Sequence, residues 1–224
     1  LGLFIAPIDV STGLGVASIS FALAIAQFTW GAVQPIADRY GSGRVVCAGL
    51  LVLAAGQMLT PFASSSAGLT FTIGILAAGG AGAASFSVLM GAANRLLRAD
   101  KRGFASGAIN AGSSFRQFVF APVLQNLIVL FGWMSSMWFM AAVVIAALPL
   151  ARLLSRPADG PAPAAAAAGS GLGAAVRSAI GDRSYLLLHA GFCTCGFHIA
   201  FLVTHLPGAI SLCGLPPSVA SWSL

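Results

Sequence analysis

The chain has 224 residues, 58% of them hydrophobic and only 7% charged, and it contains no glutamate. A water-soluble domain carries about 25% charged residues, so this composition excludes one. A net charge of +6 would point a soluble chain toward nucleic acid, but here the charges sit in short segments between apolar runs, and no nucleic-acid partner is expected.

A membrane-crossing helix needs about 20 mostly apolar residues. Residues 1–8 read as the tail of an earlier span that leaves the membrane at Pro7 and Asp9. Six complete spans follow, over residues 13–37, 45–62, 68–93, 103–130, 134–151 and 185–206, with a further helix starting at Pro216-Pro217. The expected fold class is therefore all-α, a polytopic membrane helix bundle. The chain begins at Leu1 and stops inside an apolar segment, so we read it as a portion of a longer polytopic protein. The four cysteines all lie in apolar runs, and no disulfide framework is expected.

The basic residues orient these spans. Of eleven Lys and Arg, ten fall in three connections: Arg39 and Arg44; Arg95, Arg98, Lys101 and Arg102; Arg152, Arg156, Arg177 and Arg183. Pairs of spans separate these connections, so all three share one side of the membrane. The opposite connections, at 9–12, 64–67, 131–133 and 207–215, hold no Lys or Arg. Cytoplasmic loops carry the excess of Lys and Arg, which places the basic loops in the cytoplasm; the expected location is a plasma membrane, the bacterial inner membrane. The third connection contains a Pro/Ala/Gly-rich linker by composition. A stretch from Gly173 to Ser184 then interleaves apolar and charged residues, as a short interfacial helix does.

The first basic connection carries a motif. Asp38, Arg39, Gly41 and Arg44 match a pattern of the form Gly-x-x-x-Asp-Arg-x-Gly-x-Arg-Arg. This resembles the loop between helices 2 and 3 of the major facilitator superfamily of secondary transporters. Gln34 stands where that family has glycine, and Gly43 where it has the first of two basic residues. The helix-5-like stretch 105–122, the Phe131-Gly132-Trp133 turn and the lead-in 173–185 are similar to the same superfamily. Residues 191–207 and the helix-5-like stretch look closest to bacterial monocarboxylate-porter and oxalate/formate-antiporter relatives. The resemblance implies two six-helix halves, of which this chain covers the tail of helix 1 to the start of helix 8. That gives an N-terminal half-bundle at 1–151, a cytoplasmic linker at 152–184 and the start of a C-terminal half-bundle at 185–224. It further implies that Asp38, Arg39, Gly41 and Arg44 form a gating latch, with the carboxylate meeting a helix N-terminus in the other half, where the dipole favours it.

Arg116 is the eleventh basic residue and lies in mid-span. A central Arg costs about 2.5–3.5 kcal/mol on insertion scales and faces a cavity or a partner. Its planar fork suits a carboxylate, so we expect it to bind an anionic substrate, the alternative being an ion pair with a carboxylate on another helix. No Asp or Glu falls inside a span, which favours an anion over a cationic drug. Gly13, Ser20, Gln27 and Gln34 recur every seven residues on one face. Gln27, with Trp30 beside it, is a candidate substrate contact or an interhelical hydrogen-bonding group. His198 is a candidate proton carrier or a buried neutral imidazole. Cys193 and Cys195 diverge by about 200° on a helix, so they and His198 are not read as a metal site, and no cofactor or metal is expected.

These features lead to a secondary transporter with alternating access, not an enzyme. It would move a small organic anion such as a monocarboxylate or dicarboxylate, by proton symport or anion exchange, with the lipid bilayer as its solvent. A multidrug or other-solute exporter of the same superfamily is the alternative within the class. A transporter-like sensor or an intramembrane enzyme is the alternative outside it.

Overall fold

A computed structural model describes residues 2–40, 42–153, 172–216 and 219; within these, the side chains of 35–40, 42, 94–96, 99, 114, 116, 117, 153, 172 and 174–176 lie outside the description. Among the described residues every regular element is helical: a 3-10 turn at Gly2–Phe4, then α1 (Ile5–Thr12), α2 (Val16–Tyr40), α3 (Ser42–Leu59), α4 (Ser66–Leu69), a π-helical segment Thr70–Ala77, α5 (Ala78–Ala83), α6 (Phe86–Leu96), α7 (Ala99–Ala146), α8 (Leu148–Leu153), α9 (Leu172–Gly181) and α10 (Arg183–Leu212). Among the described residues, five runs are long and apolar enough to cross a membrane. The longest, Asp100–Arg152, has 53 residues, too many for one crossing. Its backbone breaks at Gly132, which sits at φ 80° and ψ 166°, a conformation that needs glycine. Two crossings result, with the turn where the sequence places Phe131-Gly132-Trp133, and the all-α polytopic bundle stands.

Several boundaries differ from the expectation. Pro7 does not end a helix; it occupies the first turn of α1, where its missing N–H costs nothing. The exit comes at Gly13, whose φ is 66°, and Gly15, whose φ is 80°. Asp9 closes this turn, its backbone carbonyl accepting from the Gly13 N–H at 2.8 Å and its carboxylate from the Gly15 N–H at 2.9 Å. The connection expected over 38–44 is shorter, because α2 runs to Tyr40 and α3 starts at Ser42. The linker expected between the halves lies largely outside the described residues. Beyond it, α9 occupies the position of the interfacial helix, and Asp182 caps α10 by accepting from the Ser184 N–H at 2.8 Å.

In lipid the surroundings are as apolar as leucine, so helices associate by close contact and hydrogen bonding instead of by hydrophobic burial. The span from Ser66 to Leu96, the fourth when the chain's opening helix is counted as the first, supplies that contact. A Cβ at Gly74 would lie 3.1 Å from the Ala22 carbonyl, one at Gly82 would strike the Trp30 carbonyl, and one at Gly80 would strike the Gly49 carbonyl and the Leu53 nitrogen. The span from Ser66 to Leu96 therefore wedges between α2 on one side and α3 on the other. Two apolar clusters close the ends of this assembly: Phe4, Ile8, Ile19, Leu69 and Trp133 toward the Asp9 turn, and Val45, Val46, Val88 and Ala151 toward the basic connections. Hydroxyl groups within the spans bond back to their own helices, as Thr29 does to the Ile25 carbonyl at 2.9 Å and Ser136 to the Gly132 carbonyl at 2.9 Å, which keeps polar groups satisfied away from water.

Candidate functional site

The expected site residues are spread over three helices. Gln27 and Trp30 are one turn apart on α2 and both exposed. The buried line of α2 is Ile19, Ala22, Leu23 and Ala26; at 100° per residue Gln27 lies about 90° around from it. Farther along the same polar stripe, Gln34 accepts from the Ser87 hydroxyl on α6 at 2.8 Å. That end of the stripe joins two helices, and Gln27, two turns away, is left open.

Arg116 lies midway between the start of α7 at Ala99 and the break at Gly132, about 25 Å from each at 1.5 Å per residue. Its side chain lies outside the described residues. His198 is exposed on α10, and His205, seven residues on, packs its ring against Phe201 with centroids 5.3 Å apart. The helix is continuous through Cys193 and Cys195, which turns the two thiols to different faces.

In the motif, the side chains of Asp38 and Arg39, and Gly41 entirely, lie outside the described residues. Arg44 is described and exposed in the first turn of α3. It stands at the mouth of a groove of about 540 Å³ between α2, α3 and the fourth span, walled by Val33, Val52 and Ile75. Gln27, Trp30 and His198 are not part of that groove.

Two further features were not anticipated. Gln57 on α3 is only 6% exposed, and its carbonyl oxygen has no hydrogen-bond partner among the described residues; a buried unpaired amide oxygen costs about 1–3 kcal/mol. A lone amide inside the apolar run 45–62 was the available signal. The second is the contact between the chain's start and α10. A Cβ at Gly2 would strike the Val203 carbonyl and lie 3.0 Å from that of Thr204. This meeting point is at the end of the bundle that holds the Asp9 turn and lacks basic loops.

The family model of the Major Facilitator Superfamily matches residues 6–224. The chain belongs to this superfamily. Among curated relatives, Monocarboxylate transporter 11 of Mus musculus is 29% identical over 135 residues, covering 60% of this chain and 30% of that protein. The human protein of the same name is 29% identical over 146 residues, 64% of this chain and 31% of the relative. Monocarboxylate transporter 13 of Rattus norvegicus is 28% identical over 143 residues, 62% of this chain and 33% of the relative. The chain thus spans about a third of the length of the curated relatives it matches. Membership of the Major Facilitator Superfamily accounts for the multi-pass bundle.

Proposed function

We propose that the protein is a secondary transporter of a small organic anion, a monocarboxylate or dicarboxylate, working by alternating access. The observation that carries this reading is the charge inside the spans of this chain: one arginine, Arg116, at mid-span, and no acidic residue away from the ends of a span. An anion is stabilised by such a bundle and a cation is not. The names of the curated relatives, monocarboxylate transporters, point the same way. Arg116 is assigned to the substrate carboxylate, Gln27 and Trp30 to its surroundings, and His198 to the coupling proton; Asp38, Arg39, Gly41 and Arg44 are assigned to the cytoplasmic gate. The substrate would sit near the bilayer midplane between the two halves. The basic loops face the cytoplasm by their charge excess.

The test is uptake of labelled organic acids by the full-length protein in liposomes, with and without a pH gradient. Losing a hydrogen bond to a charged group costs about 1.5–3 kcal/mol, so Arg116→Gln should raise KM roughly ten- to hundredfold. An unchanged KM would remove Arg116 from the site. Transport confined to lipophilic cations would overturn the anion reading.

A further inference from the structure

The groove beside Arg44 contains none of Gln27, Trp30 and His198, and its shape and charge give it an occupant other than the transported substrate. We propose that it holds one acyl chain of an anionic phospholipid, drawn from the leaflet on the side of the basic loops, with the lipid phosphate on Arg44. The inference needs only that the spans cross a bilayer, and it is independent of the transport reading.

The groove starts at the connection between α2 and α3 and runs toward mid-membrane. Along α3 its lining extends from Arg44 to Val52, about 12 Å at 1.5 Å per residue. One leaflet contributes about 15 Å of hydrocarbon, so the trough has the depth of a single leaflet. Gly49, Gly79 and Gly80 are among the residues that line it. These residues project no side chain into the trough, and the Gly49–Gly80 contact fixes α3 directly on the fourth span. Val33, Val52 and Ile75 also line the trough.

Polarity changes in the same direction as depth. The walls are aliphatic, Thr29 turns its hydroxyl back to the Ile25 carbonyl, and among the described lining residues the one that is charged is Arg44 at the outer end. No carboxylate pairs with Arg44 among the described residues. An apolar tail with an anionic head is the ligand that matches this order, and basic pockets between membrane helices at the interface bind anionic head groups. An arginine fork can take two phosphate oxygens at once.

Native mass spectrometry of the full-length protein provides the test, with dioleoyl phosphatidylglycerol and dioleoyl phosphatidylcholine added in parallel. Near the surface one basic residue is worth about a fivefold preference for the anionic lipid. Wild type should show that preference, Arg44→Lys should keep it, and Arg44→Gln should bind both lipids equally. Ala48 is exposed and lines the groove, so Ala48→Phe fills the trough from its open side and should lose both lipids. Retention by Ala48→Phe, or preference surviving in Arg44→Gln, overturns the proposal. So does absence of bound lipid in wild type, the result expected if another helix of the protein covers the groove. Displacement of phosphatidylglycerol by millimolar inorganic phosphate would mark a free-phosphate site and also overturn it. Should Ala48→Phe fail to fold, as judged by gel filtration and circular dichroism, the Arg44 variants decide alone.

Discussion

Gly79 and Gly80 are neighbours on the same helix, yet alanine at the two positions should change stability in opposite directions. A Cβ on Gly79 would meet only the methyl of Thr29 at 3.5 Å and a methyl of Val33 at 3.7 Å, ordinary van der Waals distances. Gly79→Ala then gains what alanine gains over glycine in a helix, roughly 0.5–1 kcal/mol. A Cβ on Gly80 would run into the Gly49 carbonyl and the Leu53 nitrogen, with the Leu53 Cα at 2.8 Å. These are backbone atoms and cannot swing aside, so α3 must move. Overpacking of this kind costs about 1–3 kcal/mol, and a backbone obstacle belongs at the upper end. Subtracting the alanine gain leaves a net loss of about 2 kcal/mol, or roughly a thirtyfold shift toward the unfolded state. Reversible unfolding in mixed micelles, followed by tryptophan fluorescence, reads both variants on one scale. Equal effects of the same sign would show that the Gly80 contact does not hold α3 in place.

The Gln34–Ser87 bond should be worth about 0.6 kcal/mol in a double-mutant cycle with Gln34→Ala and Ser87→Ala in the same unfolding assay, the average for such bonds in membranes; zero coupling would make it incidental. Gly2→Leu should push α10 away from the chain's start. Spin labels at the exposed positions Val10→Cys and Leu212→Cys in the full-length protein should then report a longer distance by double electron–electron resonance, and an unchanged distance would deny that this contact closes that end of the bundle.

Much of this architecture is legible in residue types alone. Spans are legible because each must satisfy its own backbone in lipid, which forces long apolar runs. The Gly132 break is legible because two spans meet there with no room for a loop, and only glycine takes its φ. Gly74, Ala78 and Gly82, along with Gly80 and Ala84, announce close packing by their four-residue spacing, but not their partners. Which of α2 and α3 each one meets depends on the local turn of the fourth span, and its π-helical segment is written in unremarkable residues such as Thr70, Ile73 and Ala77. Asp9 reads as a charge at a membrane edge; its capping of the Gly15 N–H depends on two positive φ angles that the sequence permits without requiring. For the candidate site, Arg116 stands out because charge in mid-span is rare. Gln57 escaped notice because its peculiarity is an unpaired oxygen, which depends on neighbours far away in sequence.

The π-helical segment has a consequence for how the length of this chain can vary. Its i to i+5 bonding accommodates one residue more than the α-helical turn it replaces. Removing a single residue between Thr70 and Ala77 would let the segment relax to ordinary α-helix with the length of the span nearly unchanged. Gly80 and Gly82 would keep their bearing toward α3 and α2, whereas the same deletion within α2 or α3 would rotate everything beyond it by about 100°. The fourth span is thus the place in this bundle where a change in residue count can be absorbed without disturbing the helices packed around it.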